Sequence, residues 1–272
     1  MEALPLAGRT VAVPETRELE VFAGLLERRG ARVLRCPLVS IQDAPEPAPV
    51  LGFARDFAAG ACDDLILTTG EGLRRLLSCI ERHEPALSAG FLAALGRVRK
   101  ITRGPKPVRA LRELGLKADL SALEPTTAGL IATLSGQELS GRRIGVQLYG
   151  TEPNLPLCAF LSGAGATVRT VAPYVYADAA DDAAVQGLLA QLAHGAVDAI
   201  AFTSTPQVER LFAAAAADSV RAALGRTLVA AVGPVVAAAL ARHGVPARLM
   251  PADSFFLKPL TNALEEALAA RP

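Results

Sequence analysis

The chain has 272 residues, enough for one large domain or two of ordinary size. Its 28 basic and 27 acidic residues nearly balance, which argues against nucleic acid or an anionic membrane as a partner. The longest apolar stretch, 228–241, is too short to span a bilayer, and the N-terminus lacks the pattern of a secretion signal, so we expect a cytoplasmic protein.

The first predicted elements are a strand, a helix and a second strand. The run GRTVAV at 8–13 has the apolar character of a buried strand, and EVFAGLLERRG at 20–30 has apolar residues at helical spacing. Gly30, like Gly115, Gly165 and Gly244 later in the chain, suits the C-terminal cap of a helix. A segment with four prolines, CPLVSIQDAPEPAPV at 36–50, should then be extended.

Four blocks of the sequence, beginning with GRTVAV, resemble later parts of the chain in the same order. GRTVAV returns as GRRIGV at 141–146, and DDLILTTGEGLRRLL at 63–77 resembles VDAIAFTSTPQVERLF at 197–212. The block at 100–118 resembles that at 229–247 with its Gly-Pro pair in register, and 124–134 resembles 250–264. This self-similarity predicts an internal duplication. Alternating strands and helices predict two similar α/β domains, each a flavodoxin-like, doubly wound parallel sheet.

The domain boundaries are predicted from the two extended segments, which occupy equivalent places in the repeats. We expect the chain to leave the first domain early, build the second and return, with the two linker strands side by side. Domain one is then formed by 1–37 and 177–272 and domain two by 49–166, with 38–48 and 167–176 as linkers.

The predicted ligand-binding residues lie in the turns that follow the strands. Ligands of open α/β sheets bind at the carboxyl ends of the strands, where free N–H groups at helix starts favour anions. Turns facing each other across a cleft would suit a ligand with many carboxylates or phosphates, although Ser, Thr and Gly are also ordinary capping residues. The candidates are Thr16, Arg17, Thr69, Gly70, Arg103, Gly104, Lys106, Tyr149, Gly150, Thr203, Ser204, Thr205, Gly233 and Pro234.

Signatures of several other kinds of site are missing from the sequence. The four cysteines form no C-x-x-C pair and read as reduced thiols, and the three histidines are scattered, so no metal site is predicted. Neither G-x-x-x-x-G-K-[ST] nor G-x-G-x-x-G occurs, which weakens a nucleotide-dependent enzyme as an alternative.

The motifs FTSTPQVERLF, AAVGPVVAAALARHGV and GATVRTVAPYVY resemble those of the uroporphyrinogen-III synthase family, and the similarity extends over nearly the whole chain. The family's Thr-Arg-Pro after the first strand is only partly matched, by Thr16 and Arg17. After Gly233-Pro234, Val235 and Val236 replace the hydroxyl residues that are common in the family, which leaves backbone donors there.

The resemblance implies a reaction and a substrate. Family members close linear hydroxymethylbilane, a polycarboxylate, to a macrocycle with loss of water and inversion of the last pyrrole ring, and they need no cofactor or metal. The resemblance implies the same small-molecule partner here. We expect a monomer, and the resemblance leaves room for a transient contact with the preceding enzyme of the pathway.

The resemblance also assigns a role to Tyr174, which matches the family's tyrosine on the returning linker. We expect its phenol to point into the cleft and to assist departure of the hydroxide. Packing at a domain edge is the alternative for this residue, and we expect Tyr176, on the same face of the strand, to be structural. A non-catalytic two-domain protein that binds an anion or a tetrapyrrole, for transport or regulation, remains the alternative function.

Overall fold

The computed structural model describes residues 4–180 and 182–270. Its strands, in chain order, are β1 (Thr10–Val13), β2 (Arg32–Arg35), β3 (Val39–Asp43), β4 (Asp64–Leu67), β5 (Arg99–Thr102), β6 (Leu120–Ser121), β7 (Arg143–Gln147), β8 (Thr167–Val171), β9 (Tyr174–Asp178), β10 (Ala199–Phe202) and β11 (Leu228–Ala231).

The helices alternate with these strands. They are α1 (Leu19–Glu27), α2 (Pro47–Ala58), α3 (Gly70–His83), α4 (Ser88–Arg97), α5 (Pro105–Glu113), α6 (Thr127–Leu134), α7 (Leu155–Gly163), α8 (Asp182–Ala193), α9 (Thr205–Ala213), α10 (Ala217–Gly225), α11 (Pro234–Arg242) and α12 (Leu257–Ala269), with a short 3-10 helix at Pro85–Leu87.

The chain divides into two compact units. The central unit is continuous, Ile41–Tyr176, and the terminal unit is formed by the chain on either side of it. The two divisions fall within β3 and β9, which pair with each other as a two-stranded sheet.

The central unit contains a five-stranded parallel sheet in the order β6-β5-β4-β7-β8. Successive side chains of β4 point to opposite faces, so Leu65 and Leu67 join one hydrophobic cluster and Ile66 joins the other. The first cluster is covered chiefly by α2, α3, α4 and α5, and the second by α6 and α7. A sheet with helices on both faces is the predicted fold, and the apolar runs of its inner strands follow from burial on both faces.

The terminal unit contains a four-stranded parallel sheet in the order β11-β10-β1-β2. A single parallel bridge from Ala230 to Leu249 lies where the central unit has its fifth strand, β6. The two sheets therefore have the same strand order. The strands β5, β4, β7 and β8 of the central unit correspond to β11, β10, β1 and β2 of the terminal unit. This is the order expected from a duplication, which itself stays a prediction.

Residues 167–176 do not form a linker along their whole length. Thr167–Val171 is β8, which pairs with β7 over five positions, and the extended connections are β3 and β9. β8 lies at the edge of its sheet and leaves Thr167 and Arg169 exposed, so it lacks the apolar run by which a buried strand is recognised. The other predicted linker, 38–48, is also shorter at its far end, because α2 begins at Pro47.

The four glycines predicted to end helices do so. Gly30, Gly115, Gly165 and Gly244 all have positive φ, between 73° and 93°. Glycine adopts this left-handed conformation without the steric strain that a Cβ introduces. Among the residues that the structure describes, no helix has both the length and the apolar character that crossing a membrane requires.

Candidate functional site

The predicted residues of the central unit converge at the carboxyl edge of its sheet. Thr69 follows β4, Arg103 follows β5, Tyr149 and Gly150 follow β7, and Tyr174 opens β9. Parallel strands bring these separate turns to one edge, as the sequence predicted for a ligand site of this fold.

All three tyrosines of the chain lie in this cluster. The rings of Tyr174 and Tyr176 meet edge to face with centroids 5.5 Å apart, and the Tyr149 ring lies 5.5 Å from that of Tyr176. Gly150, with φ of 58°, passes close beneath them, since a Cβ there would lie 3.1 Å from the Tyr176 ring. The tight turn at Gly150 thus permits two phenol rings to pack against the backbone.

The Tyr174 side chain is fully buried, contrary to the expectation that it points into an open cleft. Its hydroxyl lies 3.3 Å from Thr69 Oγ1. The Tyr176 hydroxyl and the Gly150 amide also hydrogen bond to it. The ring is enclosed because β9 begins at this residue and turns it inward against the loop after β7, whereas Tyr176 is only half-buried.

The phenols of Tyr174 and Tyr176 stay protonated at neutral pH. Burial raises the pKa of Tyr174 above its ordinary value, opposed by hydrogen bonds from Thr69, Tyr176 and Gly150 and by the charge of Arg103. Burial and the neighbouring phenols raise the pKa of Tyr176 further. Both residues are therefore hydrogen-bond donors under physiological conditions.

Thr69 is held in place by a residue that the sequence did not single out. The Gln147 side chain, fully buried at the end of β7, accepts a hydrogen bond from the Thr69 amide at 3.1 Å. Thr69 in turn caps α3 by accepting from the Gly72 amide at 2.9 Å. Gly72 makes room for the glutamine, because a Cβ at this position would lie 1.9 Å from Gln147 Nε2. Only the folded sheet brings these residues together.

Arg103 is a basic residue in contact with the tyrosine cluster. Its guanidinium lies over the Tyr149 ring, 5.3 Å from the centroid, a cation–π contact that orients the charge. The start of α5 follows immediately, and Gly104 at its N-cap provides no side-chain cap. Lys106 is exposed on the first turn of α5. Pro105 and Pro107 carry no amide proton, so the oriented guanidinium of Arg103, rather than a row of amides, is the feature of this turn that would suit an anion.

The binding role of Gly70 stays a prediction, and the structure also gives this residue a packing role. A Cβ at Gly70 would lie 2.5 Å from the Lys106 carbonyl oxygen, so glycine permits α3 and α5 to approach closely. Three of the seven basic residues between 97 and 112 form ion pairs with carboxylates of the chain. Arg99 binds Asp64, the buried Lys100 binds Asp119, and Arg109 binds Glu113.

In the terminal unit, a carboxylate of the chain itself occupies the first predicted turn. Glu15 Oε1 accepts from the amides of Thr16 at 3.0 Å and Arg17 at 3.1 Å, and Oε2 accepts from the Thr203 hydroxyl. The Thr16 hydroxyl donates to the Val39 carbonyl. These donors are satisfied internally, so the expectation that they are open to an added anion does not hold in this structure.

The second turn of the terminal unit is also capped internally. The buried Gln207 side chain accepts from the amides of Thr203 at 2.8 Å and Ser204 at 3.2 Å, as part of a capping box at the start of α9. Thr205 Oγ1 is buried with no hydrogen-bond partner among the described residues. Gln207 thus plays the part that Gln147 plays in the central unit.

The third turn, at Gly233 and Pro234, starts α11 without a side-chain cap. The Phe255 ring lies against it, and a Cβ at Gly233 would be 3.1 Å from that ring. The terminal unit therefore brings its predicted residues to one sheet edge but covers most of their donors, whereas the central unit leaves Arg103 and the α5 start uncapped.

No group of three or more histidine, cysteine, aspartate or glutamate residues in 4–180 and 182–270 is placed to hold a metal ion. The four cysteines are unpaired, with Cys62 and Cys79 buried and Cys36 and Cys158 partly buried.

Comparisons with known proteins agree with this architecture. A family model described as uroporphyrinogen-III synthase HemD matches residues 20–257. An uncharacterized Bacillus subtilis protein, YjjA, is 33% identical over 255 residues, which covers 90% of this chain and 91% of the relative.

Solved structures of Thermus thermophilus uroporphyrinogen III synthase are also similar. A mutant form is 29% identical with a TM-score of 0.75, covering 97% of this chain and 100% of that one. The wild-type form is 31% identical with a TM-score of 0.59, covering 96% and 98%. On its sequence, its paired α/β sheets and these matches, the chain belongs to the uroporphyrinogen-III synthase family.

Proposed function

We propose that this protein is a uroporphyrinogen-III synthase that closes linear hydroxymethylbilane to uroporphyrinogen III, with loss of water and inversion of the last pyrrole ring. Family membership supports the proposal, and the observation that carries it is the hydroxyl cluster of the central unit. Tyr174, protonated and hydrogen bonded to Thr69, lies at the sheet edge beside Arg103.

The reaction needs selection of a geometry more than strong chemistry. The bilane closes without an enzyme to the uninverted isomer, so the protein must hold the substituted carbon of the last ring against the methylene of the first. Positioning of this kind can contribute several kcal/mol (roughly 7–11 at best) without any metal or organic cofactor.

We assign the binding of a substrate carboxylate to the central unit. Arg103 is oriented by Tyr149, and the start of α5 lacks a side-chain cap. A carboxylate there would gain a charge-assisted hydrogen bond and the favourable end of the helix dipole. In the terminal unit, a substrate carboxylate would have to displace Glu15 from the same kind of donors.

We assign the departure of the hydroxide to the Tyr174 proton. The C–O bond breaks with its electron pair on oxygen, which takes this proton and leaves as water, while the pyrrole nitrogen supplies electrons to the methylene carbon. After ring closure, loss of a ring proton returns the phenolate to phenol. Since Tyr174 is buried, donation requires that the half-buried Tyr149 side chain move aside while Tyr176 stays in place.

The test is to supply freshly prepared hydroxymethylbilane and to identify the porphyrin isomer after oxidation. We expect isomer III in excess of a blank without protein. If the product is isomer I at the spontaneous rate while calorimetry detects binding of the bilane, the protein is a tetrapyrrole-binding or regulatory member of the family and the proposal is wrong. A cytoplasmic, monomeric protein remains our expectation.

A further inference from the structure

The two tyrosines of β9 are arranged so that the hydroxyl of Tyr176 can hydrogen bond to that of Tyr174. Tyr174 and Tyr176 are two residues apart on the strand, project from the same side, and meet edge to face at 77°. Gly150 brings its backbone against both rings, with a Cβ position 3.1 Å from Tyr176 and 4.0 Å from Tyr174. Any larger residue at Gly150 would separate the rings from this backbone.

Three groups that are able to donate a hydrogen bond surround the Tyr174 oxygen. The Gly150 amide can only donate, Thr69 Oγ1 lies at 3.3 Å with a proton of its own, and the Tyr176 hydroxyl is the third. A neutral phenol oxygen, which keeps its own proton, has two lone pairs and can accept only two of these bonds. A phenolate can accept all three. Neutral Tyr174 can donate its own proton to Thr69 Oγ1, so ionisation adds no bond; it makes the bonds from Tyr176 and Gly150 charge-assisted, and such bonds are strongest in a buried site.

We propose that Tyr176 is a positioning residue that stabilises the ionised form of Tyr174 by donating its hydroxyl proton to the Tyr174 oxygen. This assigns Tyr176 a role beyond the structural one expected from the sequence. The role in catalysis rests on the proposed function, since it matters only if Tyr174 gives up a proton during ring closure.

The other groups around Tyr174 are consistent with this assignment. Arg103 is the charged group that acts on the Tyr174 phenol, and its charge also favours the phenolate. Tyr149, after β7, contacts Tyr176 and raises the pKa of that phenol, which keeps Tyr176 protonated as a donor. On α3, the Glu71 carboxylate is paired with Arg75 at 2.7 Å.

The chain is well suited to a direct test, because it has three tyrosines and no tryptophan. Full-length protein is labelled with 3,5-difluorotyrosine, a stronger acid than tyrosine, so that titration falls where the fold is stable. Each 19F signal is assigned with one Tyr→Phe variant. We expect Tyr174 to titrate at a lower pH than Tyr176. The reverse order in the protein without substitutions would by itself overturn the proposal.

Tyr176→Phe removes the hydroxyl and keeps the ring. We expect the Tyr174 pKa to rise by about one unit, the size of one hydrogen bond to an ion. A change below about 0.3 unit would overturn the proposal. Tyr176→Leu, which removes the ring as well, serves as the packing control, and thermal unfolding of each variant reports its folding.

A kinetic measurement separates this proposal from the proposed function. With hydroxymethylbilane, Tyr176→Phe should lower kcat about tenfold and leave KM unchanged. An altered Tyr174 titration with an unaltered kcat would overturn the catalytic role of Tyr176. If Tyr176→Phe alters the Tyr174 titration but the unmodified protein makes no isomer III, the hydrogen bond is supported and the proposed function is wrong.

Discussion

At the scale of single residues, Tyr174 combines burial with hydrogen bonding. A buried phenol with a raised pKa is a poor base and stays protonated, while its oxygen is surrounded by groups that accommodate a negative charge. This combination fits a residue that releases its proton only when a stronger acceptor, such as a departing hydroxide, is next to it.

Tyr174→Phe should preserve the fold, because the ring remains, but should slow ring closure about 10²–10⁴-fold. Because the uncatalysed reaction continues, the fraction of isomer I in the product should rise. Chromatography of the oxidised porphyrins measures both. An unchanged rate and isomer ratio would remove Tyr174 from the mechanism.

Asp64 is the most deeply buried charge of the central unit and has a structural role. Its side chain is fully buried and binds two guanidiniums, Arg99 at 2.7 Å and Arg142 at 2.5 Å. Burial raises the pKa of Asp64, but the two guanidiniums more than offset it and hold the pKa below its ordinary value. The carboxylate therefore favours the folded state wherever it is ionised.

Asp64→Asn should lower the free energy of unfolding at pH 7 by about 3 kcal/mol, because both guanidiniums lose their buried partner. The folded-state pKa is depressed, so this stabilisation is complete above pH ~4 and is lost as the pH falls through the folded-state value. Urea unfolding at pH 7, 5, 4 and 3 should show the difference from the unmodified protein shrink only below pH ~4.

The neighbouring residue supplies a matched control for this prediction. Asp63, whose hydrogen bonds with Arg143 lower its pKa to about 2, is partly exposed in its ion pair. Asp63→Asn should cost about 1 kcal/mol or less, because solvent screens the pair. Equal losses from the two substitutions would contradict the account of Asp64.

At the scale of elements, the start of α3 depends on the close packing of Gly72, in its first turn, against the Gln147 side chain at the end of β7. Gly72→Ala would place a Cβ against the Gln147 side chain and push its Oε1 away from the Thr69 backbone N–H that donates to it. We expect a loss of about 1–3 kcal/mol from this overpacking, measured by urea unfolding.

Gly52→Ala is the matched control for Gly72→Ala. Gly52 lies inside α2, and a Cβ there meets nothing within 4 Å. Since alanine favours the helix interior, this change should stabilise the protein by about 0.5–1 kcal/mol. If Gly72→Ala proved as stable as Gly52→Ala, the close packing of Gln147 on α3 would be refuted.

The elements themselves were largely predictable from the sequence. Short apolar runs such as Ala199–Phe202 indicate strands buried on both faces, and Gly30 or Gly244 marks a helix end through its backbone freedom. β8 was assigned to a linker rather than to the sheet, because an edge strand does not need the apolar run that marks a buried strand.

The turns were located from the sequence, but their hydrogen-bonding state was not. Glu15, Gln147 and Gln207 satisfy the very amides that the turns were expected to offer to a ligand. The Gln147 contact depends on which strands become neighbours, which a local pattern does not encode. Glu15 and Gln207 act on amides within four residues, and the Ser204–Gln207 spacing is a local capping pattern that could have been recognised. Tyr174 was found through a family motif, whereas its burial follows from the direction in which β9 enters the fold.

At the scale of the whole molecule, the two units differ in how the chain builds them. The central unit is one continuous segment with its own sheet and two hydrophobic clusters. The terminal unit needs both ends of the chain. This difference gives them different capacities to fold alone.

A fragment of residues 41–176 should therefore fold by itself, with a single cooperative thermal transition in circular dichroism. It contains all three tyrosines, so fluorotyrosine labelling should give signals at the positions seen in the full chain. A broad, non-cooperative transition would show that the central unit depends on the rest of the chain.

The central claim is that this protein directs the closure of hydroxymethylbilane, and the isomer composition at increasing protein concentration tests it most directly. The account predicts that the initial rate of isomer III formation rises in proportion to the concentration of the unmodified protein and far less steeply with Tyr174→Phe. Isomer I alone, formed at the same rate at every protein concentration, would contradict it.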